Sequence, residues 1–176
     1  MRALLNVGDL PHGYRPDPKF TQGEFPPGCH ALDAAQALDD RLRKALPSVG
    51  FQSSGGRKIG EGIELYSSAA DAERSFAASM SAVSRCATYS ASNGATFHFR
   101  VLRQAGDLAT DEAMLRVSAT FRGQRFQDDQ LGVVIGNTFI DVAAEKLSAQ
   151  GVVAEEAFLA GLARKTIHRL DGRGAT

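Results

Sequence analysis

The chain has no tryptophan, three methionines and two cysteines in 176 residues. Its twenty acidic residues cancel its twenty basic ones. No basic run stands out, so the charge that a phosphate backbone demands is missing and nucleic acid is not expected as a partner. No apolar run approaches the roughly 18–20 residues that cross a bilayer. Met1-Arg2-Ala3 passes straight into Leu4-Leu5-Asn6, without the charged and then apolar regions of a signal peptide.

Catalytic motifs are equally scarce. There is no GxSxG elbow, and His12, His30, His98 and His168 stand singly, without HxH or HExxH spacing. Two cysteines are too few for a zinc site and form no CxxC pair. The segment SSGGRKIGEG is rich in glycine but lacks the GxxxxGK[ST] and GxGxxG spacings, and no helix follows it in place. Three acidic pairs occur, Asp39-Asp40, Asp128-Asp129 and Glu155-Glu156. Neighbours on one helix or strand point different ways, so these pairs are expected on solvated surface and not as a glycosidase dyad. No enzyme activity, metal or cofactor is therefore expected. An unrecognised hydrolase remains the alternative; its mark would be titratable residues clustered and buried in a cleft.

What is present predicts one domain over 1–176, long enough to bury a full core. Five of the six prolines fall within residues 3–28. Residues 1–28 are thus read as an extended N-terminal strap, pinned by Leu4, Leu5, Leu10, Tyr14 and Phe25. A first helix is expected over 29–46, with Leu32, Ala35, Leu38 and Leu42 as its stripe and Pro47 as its stop. A hairpin spans 48–67, turning at Ser54-Gly55-Gly56, with Ile59, Glu61, Ile63 and Leu65 on one face. Ser68, with Asp71 three residues on, caps a second helix, whose stripe is Ala69, Ala72, Phe76, Met80 and Val83. Strands follow at 88–92, 96–103, 113–122, 126–135 and 138–144, joined by short turns, and a helix at 153–170 precedes a frayed tail from Asp171. Segregated strands of this kind give an α+β fold: a central antiparallel sheet with helices packed mainly on one face. Cys29 and Cys86 are either two buried thiols or one disulfide; spacing alone leaves both open.

Alternation places Phe97, Phe99 and Val101 on one face of the 96–103 strand and His98 and Arg100 on the other. With Arg116, Ser118 and Thr120 from the 113–122 strand, these polar residues form a candidate binding face for a small polar or anionic ligand, since arginine grips carboxylate or phosphate at two points. The competing expectation is a solvated sheet face, with the arginines paired to Asp128 and Glu61.

Four features together carry a resemblance: the opening LLNVGDLPHGY; a cysteine heading a helix; the strand and helix GEGIELYSSAADAERSFAAS; and a second cysteine after that helix, with an IGN turn and a late amphipathic helix beyond. Over 4–170 the chain is similar to the PknH-like extracellular sensor domain family, actinobacterial domains that also occur as secreted proteins and lipoproteins. The resemblance implies an exported, non-catalytic, ligand-binding or sensor-like domain, a ligand cleft, and a Cys29–Cys86 disulfide formed in an oxidising compartment. The kinase-linked members carry a second disulfide, for which this chain has no cysteines, so sensing coupled to phosphorylation is not carried over. Membrane attachment would come only through a lipid or transmembrane anchor upstream of Met1. The alternative role is a cell-envelope module that binds protein or glycan, marked by a flat apolar patch.

Overall fold

The computed structural model describes residues 3–20, 25–104, 106–145 and 152–172. Nine strands and three helices follow in order: β1 (Tyr14–Pro16), α1 (His30–Leu42), β2 (Arg43–Ala45), β3 (Ser48–Ser53), β4 (Lys58–Tyr66), α2 (Ala69–Arg85), β5 (Thr88–Ser90), β6 (Thr96–Gln104), β7 (Glu112–Phe121), β8 (Gln124–Ile135), β9 (Thr138–Glu145) and α3 (Val152–Leu170). The strands form one sheet in the order β1-β3-β4-β9-β8-β7-β6-β5, with β2 also paired to β4. Every pairing is antiparallel. The expected α+β architecture is thus present.

Local chemistry explains the joints. Ser68 Oγ accepts from the Asp71 amide at 3.2 Å and starts α2 as a side-chain cap. Arg122 and Gly123 both take positive φ in the β7–β8 turn, which matches the twist of the strands it joins. At the α2–β5 junction, Cys86 is the C-cap of α2 and is bonded to Cys29, the N-cap of α1. The disulfide therefore ties the start of one helix to the end of the other.

α1 and α2 share one face of the sheet, where Leu32, Ala35, Ala82 and Val83 meet Phe99 and Val117. α3 covers the opposite face, packing Leu159, Leu162 and Ala163 on Met114, Leu131, Val133, Ile140 and Val142. Two of the three helices thus lie on one side, and the central strands are buried on both.

Several expectations move. The first helix stops at Leu42, four residues before the expected end, because Arg43 and Ala45 pair with Tyr66 and Leu65 of β4. Val101 is exposed and does not join Phe99 in the core, because the β6–β7 register shifts between Val101 and Arg103. Ala69 lies outside the buried stripe of α2, and Ser75 and Ala82 lie within it. The strap contributes an edge strand, β1, paired with β3. Its Leu5 amide donates to the buried Glu61 carboxylate at 2.6 Å, and Thr166 of α3 donates to the same group. Asp9 takes both its oxygens to Arg169 at 2.7 Å, which closes the strap onto α3. Residues 21–24 of the strap and 173–176 of the expected tail lie outside the described residues.

Candidate functional site

The five candidate residues do come together on one face of the sheet. Cross-strand register pairs Thr96 with Thr120, His98 with Ser118 and Arg100 with Arg116, so all five candidate residues share one face of β6 and β7. Arg116, however, lies in a two-point pair with Asp129, at 2.6 and 2.7 Å, and Asp129 is almost fully buried. That two-point pair is made with Asp129, where Asp128 or Glu61 was expected. His98 Nδ1 sits 3.0 Å from Thr88 Oγ1, and both His98 and Arg100 are exposed. The face is a hydrogen-bonded sheet surface; neither of the cavities described next opens on it.

The cavities lie on the other side of the same strands. One, of about 230 Å³, runs between the sheet and the α1–α2 pair. Its apolar walls include Leu32, Ala35, Phe76, Met80, Leu115 and Phe139. Its polar wall holds Asp39, Arg43, Glu64, Tyr66, Gln130 and Asp141. A second cavity, of about 290 Å³, shares Phe25, Gln130 and Asp141 with the first and continues past Gly60, Gly62, Asp128 and Phe20. The glycines explain the space. Gly62 faces Asp141 across β4–β9, and Gly132 faces Asp141 across β8–β9, so neither strand neighbour carries a side chain beside that carboxyl; the Phe139 ring lies over Gly132. Gly50 and Gly60 pair across β3–β4, and the Phe20 ring lies on them: a Cβ at Gly60 would stand 2.4 Å from Cζ of that ring.

The polar wall is a set of acids in apolar surroundings. Burial raises the pKa of Glu64 to about 7; the Asp39 charge adds to this, and Tyr66 and Arg43 offset part of it. Burial also lifts Asp141 to about 7, with Asp128 and Glu61 adding to the shift. Asp128 is raised by burial and by Glu145 and Asp129, partly countered by Lys58. Tyr66 Oη lies 2.5 Å from Asp39 Oδ1 and 2.5 Å from Glu64 Oε2. Ser75 Oγ donates to Asp39 Oδ1 at 2.7 Å, and Arg43 reaches Asp39 at 2.6 Å. Arg43 is held from the outside by Asp40, also at 2.6 Å.

The acidic pairs behave partly as expected. Asp39 points into the crevice while Asp40 is exposed, and Asp128 faces the crevice while Asp129 serves the opposite face. Surface solvation holds for Asp40 but not for Asp39 or Asp129. Glu156 pairs with Arg103 at 2.6 Å; the Glu155 side chain lies outside the described residues. Among the described residues no group of three or more histidine, cysteine or acidic side chains is placed to hold a metal, and no helix is long and apolar enough to cross a membrane.

The crevice went unread in the sequence, although signals for it exist. In KIGEGIELY, Gly60, Gly62 and Glu64 fall on one face at period two, and a run of glycines facing a buried acid marks a strand that leaves room for something else. Asp39 follows Leu32 and Ala35 at helical spacing, which puts a carboxylate on the apolar stripe.

No protein-family model matches the chain, and no curated protein matches it significantly. Among solved structures, it is similar to the extracellular domain of PknH from Mycobacterium tuberculosis, with a TM-score of 0.65 at 15% sequence identity. The superposition covers 94% of this chain and 93% of that one. At that identity the likeness is one of fold, and it extends over nearly the whole of both chains.

Proposed function

We propose that this chain is an extracytoplasmic, sensor-like domain of the PknH extracellular type, and that it binds a small ligand in the crevice between the α1–α2 pair and the sheet. The observation that carries the reading is the crevice itself: about 230 Å³, apolar on most sides, with Asp39, Glu64 and Asp141 on one wall. Its location outside the cytoplasm is supported by the Cys29–Cys86 bond, since lone disulfides persist in oxidising compartments, and by the extracellular neighbour of the same fold. Because the wall is acidic, the ligand is a cation or a donor-rich polar molecule. An anionic ligand on the His98–Arg100 face is the lesser proposal, since Arg116 is already held by Asp129.

A second reading rests on one observation. Burial raises the pKa of both Glu64 and Asp141 to about 7 inside a cleft, which suits a general acid and base of a hydrolase. An envelope-interaction module has no comparable support.

The test is a thermal-shift panel of small cations, neutral polyols and anions, run on wild type and on Asp141→Asn, beside a panel of chromogenic glycosides and esters. Stabilisation by cations or polyols that Asp141→Asn abolishes supports the sensor-like reading. Turnover of a panel substrate that Glu64→Gln abolishes replaces it with the hydrolase. Stabilisation by anions alone, lost in Arg100→Ala, would return the site to the β6–β7 face. Intact mass without reductant should show no free thiol; two free thiols would remove the case for export.

A further inference from the structure

The hydrogens around Tyr66 do not suffice for two ionised neighbours. Its hydroxyl carries one hydrogen, yet both Asp39 Oδ1 and Glu64 Oε2 lie 2.5 Å from it. One of these contacts needs a hydrogen that the carboxyl itself supplies. Asp39 already receives Ser75 at 2.7 Å and Arg43 at 2.6 Å, donors that favour its charged form. Glu64 has Arg43 only at 3.5 Å. The proton therefore sits on Glu64, whose O–H donates to Tyr66 Oη, while Tyr66 O–H donates to Asp39.

We propose that Glu64–Tyr66–Asp39 is a proton-dependent latch that holds α1 and α2 onto β4, closed while Glu64 keeps its proton and loosened when it is lost. The chain joins three elements: Glu64 and Tyr66 belong to β4, Asp39 to α1, and Ser75, on the same Asp39 oxygen, to α2. Loss of the proton leaves two buried carboxylates sharing one hydrogen, and their repulsion acts along the α1–β4 contact. The charged groups facing Glu64 from other elements are Arg43 on β2, held in turn by Asp40 of α1, and Asp141 on β9. Arg43 favours the ionised form of Glu64 and the acids oppose it; the raised pKa of Glu64 accords with the acids and the apolar walls prevailing. Because all of these groups but Asp40 line the crevice, the latch sets the shape of its polar wall whatever occupies it. The inference needs no ligand and stands apart from the functional reading.

Two measurements on the wild-type chain test it, with Glu64→Gln as a third arm. Carbon-13 NMR of the glutamate side chains should show the Glu64 carboxyl titrating near neutral pH. Amide exchange across α1, corrected for the intrinsic pH dependence, should become about tenfold faster or more between about pH 5.5 and about pH 8.5. In Glu64→Gln the side-chain NH₂ donates at every pH, so that change should disappear. A Glu64 carboxyl that titrates in the ordinary carboxylate range overturns the proposal, as does pH-independent protection of α1. An equal loss of protection in Glu64→Gln overturns it too, by moving the titration to Asp141. If the variant does not fold, the two wild-type measurements still decide.

Discussion

Replacing Asp141 with asparagine should stabilise this protein at alkaline pH and leave it unchanged in acid. Asp141 is set in the middle of the sheet, opposite Gly62 and Gly132, and its pKa rises from 3.8 to about 7 through burial and the nearby Asp128 and Glu61. The folded state thus holds a proton that the unfolded chain has already released between those two values. Wild-type stability falls as pH climbs through that window and stays low above it. The shift of about three units corresponds to a ceiling of about 4 kcal/mol at about 1.4 kcal/mol per unit. Asp141 opens on both cavities, and water there weakens the penalty. A gain of about 1–2 kcal/mol for Asp141→Asn above pH 7 is the working figure, or about 3–6 °C in melting temperature for a chain of this size. The assay is calorimetric melting of both proteins from about pH 4 to about pH 8.5. The gain should be near zero at the acid end and grow through the window. An asparagine variant less stable than wild type at pH 8, or stabilised equally at pH 4, would refute the claim that this carboxyl is kept in the sheet against its own stability. Residues held at such a penalty are what a binding site requires and a plain core does not.

Three further outcomes follow from the packing. Cys29→Ala with Cys86→Ala should lower stability by up to about 4 kcal/mol on the loop-entropy argument, and reductant should reproduce the loss in calorimetry of the wild type. Arg116→Ala should cost about 1.5–3 kcal/mol by removing the two-point pair on the buried Asp129, whereas the exposed Arg100→Ala should leave urea unfolding unchanged; equal effects would contradict the assignment of a structural role to Arg116 and a surface position to Arg100. Gly60→Ala should displace the Phe20 ring from its seat on Gly50 and Gly60, costing about 1–3 kcal/mol and opening the strap to protease near Phe20.

The sheet was legible in the sequence because its strands alternate and its turns carry their own chemistry. Ser68 announced α2, and Asn93-Gly94 and Gly136-Asn137 announced turns that the chain makes, with Gly94 and Gly136 at positive φ. Cross-strand register also brought His98, Arg100, Arg116, Ser118 and Thr120 together as alternation implied. What pattern could not supply was which face has depth. That depends on the docking of α1 and α2 and on absent side chains at Gly60, Gly62 and Gly132, which sequence presents only as weak points in strands. Arg116 looked available because its partner, Asp129, lies thirteen residues away on the next strand and was not separable from Asp128 by composition. The early end of α1 was hidden for a related reason: Arg43 continues the helical pattern, and only the β4 edge and the Asp39, Asp40 and Glu64 carboxylates draw it into a strand.

The measurement that bears most directly on the functional claim is nitrogen-15 NMR mapping of a ligand taken from the cation and polyol panel. Binding in the crevice predicts shifts at Leu32, Tyr66, Phe76, Leu115 and Asp141, with His98 and Ser118 unmoved, and loss of all of them in Asp141→Asn. Shifts confined to His98, Arg100, Ser118 and Thr120, or none with any cation or polyol in the panel, would contradict it.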